Sequence, residues 1–331
     1  MMEEPSPKLQ RFTQNPSLPD DLLMSCVTRM SRLYYPTLSL VSKSFRSLLA
    51  SPELYKARSI LGHTESCVYV SLQSSSECRL YTLCRKPDQT LTNKEKKKQK
   101  RKKYKKSSGY VLVRVPILHY PRQVSPVLVA VGSDIYKIGN RSSYNNDPSS
   151  SVSVLDCRFH TWQEAPSMRL EYTSLSASVV DRKIYVTGSH KDSLKGSSEE
   201  SRWELTEPGL GHALFSDRSC CLIDNVLYSA SQGRLGWYDT MINVWRPLIG
   251  LIGLPKLFPH CYSVRLADCG GKMAVFWEQI FSSSFEKMIC CAEISLERRN
   301  YFDIWGEVEW VDHVLTVPLW YDLVQVLAAT V

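Results

Sequence analysis

Residues 18–58 read LPDDLLMSCVTRMSRLYYPTLSLVSKSFRSLLASPELYKAR and form the part of the chain with the strongest helical pattern. The first apolar residues recur at the spacing of one helix face: Leu22, Leu23, Cys26, Val27 and Met30. Pro19 suits the first turn of this helix, where a missing backbone N–H costs nothing. Pro36 interrupts the pattern, and a second amphipathic helix is predicted from a further apolar set: Leu38, Val41, Phe45 and Leu48. Ser51 and Pro52 are suited to cap and begin a third short helix.

Three helices within about forty residues bury too little apolar surface to be very stable alone. We therefore expect this module to complete its core on a partner.

The net charge of +8 belongs to one short stretch of the chain. Residues 94–106 hold ten Lys or Arg and one Glu, a local charge of +9. Taking these from the totals of 41 and 33 leaves 31 basic and 32 acidic residues, a charge of −1. A nucleic-acid surface would need basic residues spread over a face together with stacking aromatics. The basic residues are therefore read as a solvated insertion, and a nucleic-acid partner is not expected.

The composition predicts an ordinary globular protein in the cytoplasm and/or nucleus. No uninterrupted apolar run approaches the ~20 residues of a membrane helix, and the N-terminus lacks the apolar core of a secretory signal. The 11 cysteines include no Cys-x-x-Cys, and the seven histidines lack a metal-binding spacing. No catalytic motif is visible. We therefore expect reduced thiols, no metal, no cofactor and no catalytic activity in this chain.

A repeat dominates the chain after the helical module. Short apolar runs separated by turn residues predict β-hairpins. The second strand of three hairpins carries a tyrosine, 49 and 43 residues apart, and each hairpin is followed by a tryptophan, 41 and 42 residues apart. These six are the predicted repeat-core residues: Tyr136, Trp162, Tyr185, Trp203, Tyr228 and Trp245. A period in the forties with one hairpin and one aromatic per unit is typical of a β-propeller.

These patterns divide the chain into a flexible arm at 1–17, a helical module at 18–58 and a propeller at 62–331 with a basic insertion at 94–106. The clearest repeats are 127–173, 176–215, 219–260 and 262–310. At about 45–50 residues per unit, five or six blades are expected. The final stretch, residues 314–331, is predicted to be a closing strand or a packed tail.

The helical module resembles an F-box. Its Leu18-Pro19, its Leu22-Leu23 and the segment LSLVSKSFRSL at 38–48 are similar to that family's Leu-Pro start, Leu pair and Val-Cys-Lys-x-Trp-Arg-x-Leu core. Ser42 and Phe45 stand where Cys and Trp are common. The repeats resemble kelch repeats, although Gly139-Asn140 and Gly188-Ser189 replace the usual Gly-Gly pair. The order of the two parts resembles the plant F-box/kelch-repeat protein family.

That resemblance implies a mainly β protein: a kelch-type β-propeller with some degenerate blades, preceded by a three-helix F-box. It also implies the substrate-recognition subunit of an SCF-type E3 ubiquitin ligase. The F-box would dock the Skp adaptor, and through it cullin and RING subunits, while the propeller would bind an unknown target protein. The predicted adaptor-binding residues, not separated from the module's own core by the sequence, are Leu18, Pro19, Leu22, Leu23, Val41, Phe45 and Leu48.

Two other functions fit the residues. One is a kelch-repeat scaffold that uses its helices structurally and has no link to a ligase. The other is a nuclear binder that uses the basic run. A possible nuclear-localisation signal within that run comprises Lys96, Lys97, Lys98, Lys100, Arg101, Lys102 and Lys103.

Overall fold

The computed structural model describes residues 19–75, 77–86, 108–115, 127–139, 150–169, 171–190, 219–231, 233–257, 263–280 and 285–331. The predicted arm at 1–17, Leu18, Trp203 and the basic run at 94–106 lie outside these residues. Within them, short helices precede a series of antiparallel sheets. None of the helices in these ranges is long and apolar enough to cross a bilayer.

The N-terminal module contains four short α-helices and one 3-10 helix rather than the predicted three helices. They are α1 Asp20–Thr28, a 3-10 helix at Arg32–Tyr34, α2 Tyr35–Leu38, α3 Lys43–Leu49 and α4 Pro52–Ile60. The predicted second helix is split, because Ser42 is extended and its side chain accepts a hydrogen bond from the Phe45 N–H at 3.2 Å. This N-cap starts a new helix at Lys43 and leaves Val41 in the preceding turn.

Two sequence signals at helix starts have definite positions in the structure. The Ser51 hydroxyl accepts from the Leu54 N–H at 3.3 Å, and Pro52 is the first residue of α4, as predicted. Pro19 is the N-cap of α1, one position before the predicted first turn. The helices enclose a small core of four buried residues, Val27, Tyr35, Leu49 and Leu54.

The rest of the described chain consists of strands. In chain order they are β1 Ser66–Gln73, β2 Cys78–Arg85, β3 Tyr110–Arg114, β4 Val127–Val131, β5 Asp134–Ile138, β6 Val152–Asp156, β7 Thr161–Ala165, β8 Tyr172–Val180, β9 Lys183–His190, β10 Cys220–Ile223, β11 Val226–Ser231, β12 Arg234–Asp239, β13 Val244–Pro247, β14 Arg265–Asp268, β15 Met273–Ile280, β16 Glu286–Arg298, β17 Ile304–Pro318 and β18 Asp322–Thr330.

In the described part of the chain these strands form five antiparallel sheets, in agreement with the predicted kelch-type blades. The first sheet has the order β18-β1-β2-β3, and the second, fourth and fifth are β4 to β7, β10 to β13 and β14 to β17. The third sheet consists of β8 and β9. The innermost strand of each sheet contacts the innermost strand of the next sheet, in the order β8, β4, β18, β14, β10. The sheets therefore pack side by side around a shared line of inner strands.

The C-terminal strand closes the first sheet. Strand β18 pairs antiparallel with β1 from Ser66↔Thr330 to Gln73↔Asp322. The last strand of the chain is thus the innermost strand of the sheet that also contains the first strand, β1. Of the predicted stretch 314–331, residues 314–318 are the end of β17, and the closing strand is β18.

The predicted period corresponds to equivalent positions in successive sheets. Tyr136, Tyr185 and Tyr228 are each the third residue of the second strand of a sheet. Trp162 and Trp245 are each the second residue of the fourth strand. The tight turns before these second strands have positive φ, including 50° and 61° at Asp181 and Arg182. Two such residues in succession suit the two-residue hairpin turn that matches strand twist.

The repeat-core prediction needs one correction. Tyr228 is buried and Tyr136, Trp162 and Tyr185 are partly buried, but Trp245 is 50% exposed. It lies on β13, the outermost strand of its sheet, where only one side meets a neighbour. The buried tryptophan of this sheet is Trp237 on β12, which packs in the core between the fourth and fifth sheets.

Strand direction defines two faces of the sheet assembly. The helices enter β1 at Ser66, and the chain ends beside them, because the Glu65 N–H donates to the Val331 carbonyl at 2.9 Å. The Gly132-Ser133 turn lies at the same edge. We call this edge the helix-bearing face. The other edge, the opposite face, carries the Ser74–Glu77 turn and the β17–β18 turn.

Candidate partner-binding surfaces

Several large apolar side chains of the helical module are exposed, among them Tyr34 and Ile60. Leu22 on α1 is 55% exposed, and Leu40 and Val41 in the turn before α3 are 75% and 63% exposed. Pro19, at the start of α1, is exposed as well. Exposed apolar residues scattered singly are ordinary, whereas several on one forty-residue module make it a candidate binding surface.

A groove of about 450 Å³ runs between α1, α3 and the start of α4. Its lining combines apolar side chains with carboxylates and hydroxyls: Asp20, Asp21, Leu23, Met24, Ser44, Ser47, Leu48, Ser51 and Glu53. Asp20 and Asp21 occupy the first turn of α1, where acids interact favourably with the helix dipole.

The structure divides the predicted adaptor-binding residues into two groups. Leu23, Phe45 and Leu48 are partly buried and pack against the module's own core. Pro19, Leu22 and Val41 are exposed and available to a partner. Leu23 and Leu48 also line the groove. The resemblance to the F-box pointed to both groups, but the sequence could not tell the side chains that face inward from those that face outward.

Sequence reasoning missed Leu40, which at 75% is the most exposed large apolar residue of the module. The residue lies inside the quoted LSLVSK segment and belongs to neither predicted helical period. Its exposure results from the break between α2 and α3, since the Leu40 and Val41 N–H groups donate to the Thr37 and Leu38 carbonyls and close a turn. The Ser-rich context and the capping Ser42 were the available signals for that break.

Arg58 joins the helices to the first sheet. Its side chain is 2% exposed, and its Nη1 donates to the carbonyls of Thr28 and Met30 at 3.1 and 2.7 Å and to the Tyr35 hydroxyl at 3.1 Å. Its Nη2 forms an ion pair of 2.9 Å with the carboxylate of Glu65, immediately before β1. One guanidinium thus holds α1, α2 and the start of the sheets together.

Arg32 makes a second connection across the same junction. Its backbone N–H donates to the Glu65 carboxylate, and its Nη2 donates to the Cys157 carbonyl of the second sheet at 3.0 Å. Its guanidinium lies 5.4 Å from the ring centre of Tyr55, and that ring meets Phe159 edge-on with centroids 5.2 Å apart. The helical module is therefore held by the first sheet and by the second.

A histidine beneath this junction is fixed in its neutral form. The Tyr69 hydroxyl and His160 Nε2 are 3.1 Å apart. Burial, with a further contribution from the Arg32 charge, lowers the pKa of His160 to about 4. The imidazole therefore stays uncharged near neutral pH, and the junction is insensitive to small pH changes there.

The opposite face carries a network of paired charges. Lys287 is 2% exposed, and its Nζ lies 3.1 Å from the Glu278 carboxylate and 2.9 Å from that of Asp322. Arg79 pairs with Glu77 at 2.5 Å, and the Tyr321 hydroxyl also donates to Glu77. The hydrogen bond from Arg79 is the main reason why the pKa of Glu77 is lowered.

The described residues include no group of three His, Cys, Asp or Glu side chains placed to hold a metal ion. Burial raises the pKa of several thiols, to about 12 at Cys84 and Cys157 and to about 11 at Cys290. These thiols are therefore protonated, and a thiolate is the reactive form of cysteine.

A short helical module with exposed leucines, fixed to a set of kelch-like blades, defines an F-box protein with a repeat domain. The comparisons agree. An F-box domain model matches residues 16–57, and a kelch-repeats domain model, FKB95, matches residues 80–201 and 191–315.

F-box/kelch-repeat proteins of Arabidopsis thaliana are similar over nearly the whole chain. At3g08810 is 54% identical, with 96% of this chain and 94% of that protein covered. At4g39550 is 48% identical, with 99% and 97% covered. At5g51250 is 48% identical, with 95% and 99% covered. The chain belongs to the F-box/kelch-repeat family, and this combination is that of an F-box substrate-adaptor protein.

Proposed function

We propose that this chain is the substrate-recognition subunit of an SCF-type E3 ubiquitin ligase. The helical module docks the Skp adaptor, which connects it to the cullin and RING subunits, and the sheets bind the target protein. The chain itself is not an enzyme. It acts by bringing the target close to the subunits that carry out ubiquitin transfer.

The exposed apolar residues of the F-box are the observation that carries this proposal. Leu22, Leu40 and Val41 gain nothing from folding of the module, because they remain largely in water. Burying one such side chain against a partner is favourable by roughly 1.5–3 kcal/mol. A helical groove in the adaptor, lined with apolar side chains, is the kind of surface that recovers this free energy.

The junction supports the same function. A receptor that works by proximity must hold its target in a limited range of positions relative to the adaptor. Arg58 and Arg32 connect the helices to the sheets through partly buried contacts to Glu65 and to the Cys157 carbonyl. Such contacts restrict swivelling between the two parts.

The test is capture of the purified Skp adaptor by the full chain. The variant Leu40→Asp/Val41→Asp places two charges in the proposed interface, and we expect it to lose capture. Met241→Asp/Ile242→Asp is a matched control, because it alters an adjacent pair that is 89% and 53% exposed in a turn of the fourth sheet. Normal capture by the control with loss in the first variant supports the proposal. Equal capture by both variants, or none by the folded wild type, contradicts it.

The basic run remains a prediction, since it lies outside the described residues. We expect the protein in the cytoplasm and/or nucleus, with residues 96–103 directing nuclear import. Arg85 pairs with Tyr110 across β2 and β3, so a short turn can replace the run without disturbing the sheet. Imaging a tagged chain without residues 94–106 tests the import signal, and an unchanged nuclear fraction would exclude it.

A further inference from the structure

Lys137 is a buried lysine between the first and second sheets. Its side chain is 3% exposed. It lies on β5 opposite Leu128 and Ser153, two residues after Ile135. Residues two apart on a strand share a face, and Ile135 packs with residues of the first sheet. Lys137 therefore points toward the first sheet.

Among the described residues, no carboxylate pairs with Lys137. Cys78 of the first sheet is the ionisable side chain that interacts with it. Next to Cys78 lies Ser71, which is 2% exposed, with its Oγ 3.1 Å from the Cys78 sulfur. Within the described ranges, no hydrogen bond or ion pair joins the Lys137 ammonium to another residue. Burial accordingly lowers its pKa to about 8.

Lys287 is a buried lysine whose charge is compensated by carboxylates of the same chain. Lys287 flanks the first sheet from the fifth sheet, as Lys137 flanks it from the second, and the two are buried to the same degree. Lys287 has two carboxylates within 3.1 Å. An uncompensated buried ammonium is costly, because it loses water without gaining a partner. Lys137 is therefore placed to meet an anion that the described residues do not supply.

The position of Lys137 is suited to a partner. It is the second-to-last residue of β5, at the end of that strand that belongs to the opposite face. Cys78 is the first residue of β2, directly after the Ser74–Glu77 turn of the same face. The F-box lies at the helix-bearing face, so a protein bound through Lys137 would have to approach from this other side.

We propose that the slot formed by Ser71, Cys78 and Lys137, the Lys137 slot, accepts a carboxylate side chain of the target protein. The ammonium provides the charge that attracts the carboxylate, and the Ser71 hydroxyl provides a neutral hydrogen-bond donor beside it. The inference rests on the proposed function only in taking the ligand to be a target protein. The selection of an acidic residue follows from the slot itself.

The probe is a fluorescent tetraglutamate peptide with blocked ends, titrated with the full chain and followed by anisotropy. The corresponding tetraglutamine peptide is the neutral control. We expect binding of the acidic peptide alone, weakened at least tenfold by Lys137→Met. Lys183→Met should leave it unchanged, because Lys183 is an exposed lysine at the turn end of β9 on the helix-bearing face. Equal binding of both peptides, or equal affinity in both variants, would overturn the proposal.

The NMR signal of Lys137 and its apparent pKa provide a second readout, which does not depend on affinity alone. In a chain labelled with carbon-13 at the lysine ε position, the signal lost in Lys137→Met identifies Lys137. Saturating acidic peptide should move that signal and raise its apparent pKa by one unit or more, since an anion favours the charged form. A signal that inorganic phosphate moves and the acidic peptide does not would show a small-anion site and contradict a carboxylate site.

Adaptor capture separates this inference from the proposed function. Lys137→Met should capture the Skp adaptor as well as the wild type does. If the wild type binds the acidic peptide through Lys137 but does not bind the adaptor, the Lys137 slot is supported and the ligase role is contradicted. If it binds the adaptor but not the acidic peptide, the ligase role is supported and the Lys137 slot is contradicted.

Discussion

The two ends of this molecule expose different kinds of side chain. The F-box end exposes Leu22, Leu40 and Val41, whereas the opposite face presents charges, most of them paired. Apolar burial is strong and depends little on salt, while charge discriminates between partners by sign and is screened by salt. The difference suits one permanent partner at the helices and selected partners at the sheets.

The largest expected effect concerns the connection between these ends. Arg58→Met removes the cation that pairs with Glu65 and the donor to three further oxygen acceptors. Removing one partner of a buried ion pair costs about 3–5 kcal/mol, so we expect the helices to unfold at lower denaturant than the sheets. Helical and tryptophan signals followed together in urea would test this. Arg46→Met, which changes an exposed arginine, should leave both transitions in place.

The second expected effect is a difference in unfolding free energy between variants of the two buried lysines. Lys287→Met leaves Glu278, which is 11% exposed, without its cation, and should cost about 3 kcal/mol of unfolding free energy. Lys137→Met removes an unpaired charge and should be neutral or stabilising. Chemical denaturation of both variants measures the two changes. Equal destabilisation would mean that Lys137 has a counter-charge after all.

The third effect is the pH dependence of Lys137. Its pKa is about 8 in the folded chain and about 10.4 in an unfolded one. The unfolded state therefore binds more protons, so stability contributed at this site rises with pH. Relative to Lys137→Met, the wild type should gain about 2 kcal/mol between about pH 7 and about pH 9.5. Cys78, the facing titratable group, is common to both chains. A flat difference would show that Lys137 is solvated.

The smallest expected effect is on stability at the F-box surface. Leu22→Ser should change the unfolding free energy by less than about 0.5 kcal/mol, because exposed sites contribute little. Leu222→Ser is matched, since the two leucines are 55% and 56% exposed. Thermal unfolding should not distinguish them, whereas Skp affinity should fall for Leu22→Ser alone. A large loss of stability in Leu22→Ser would place that side chain in the module's core.

What the sequence could predict depends on how local the signal is. The spacing of Tyr136, Tyr185 and Tyr228 revealed the sheets, because each unit repeats the same strand position. Ser51-Pro52 revealed a helix start through capping that involves only neighbours. The break at Ser42 was missed because a capping hydroxyl competed with an apolar period that also fitted.

Burial that depends on packing between sheets was beyond the sequence. Lys137 and Lys287 look like ordinary strand-end lysines until the neighbouring sheets are in place. The same holds for Trp237 and Trp245, since only strand order decides which one faces the core. The division of the predicted adaptor-binding residues into inward and outward groups likewise required the four helices to be packed.

The most direct test of the central claim is the footprint of the Skp adaptor, measured by amide hydrogen exchange on the full chain. The account predicts slowed exchange in residues 20–24 and 40–48 and no change on the opposite face around the Ser74–Glu77 turn. Slowed exchange confined to the sheets, or no change anywhere in a folded chain, would contradict the assignment of the helical module as the adaptor-binding end.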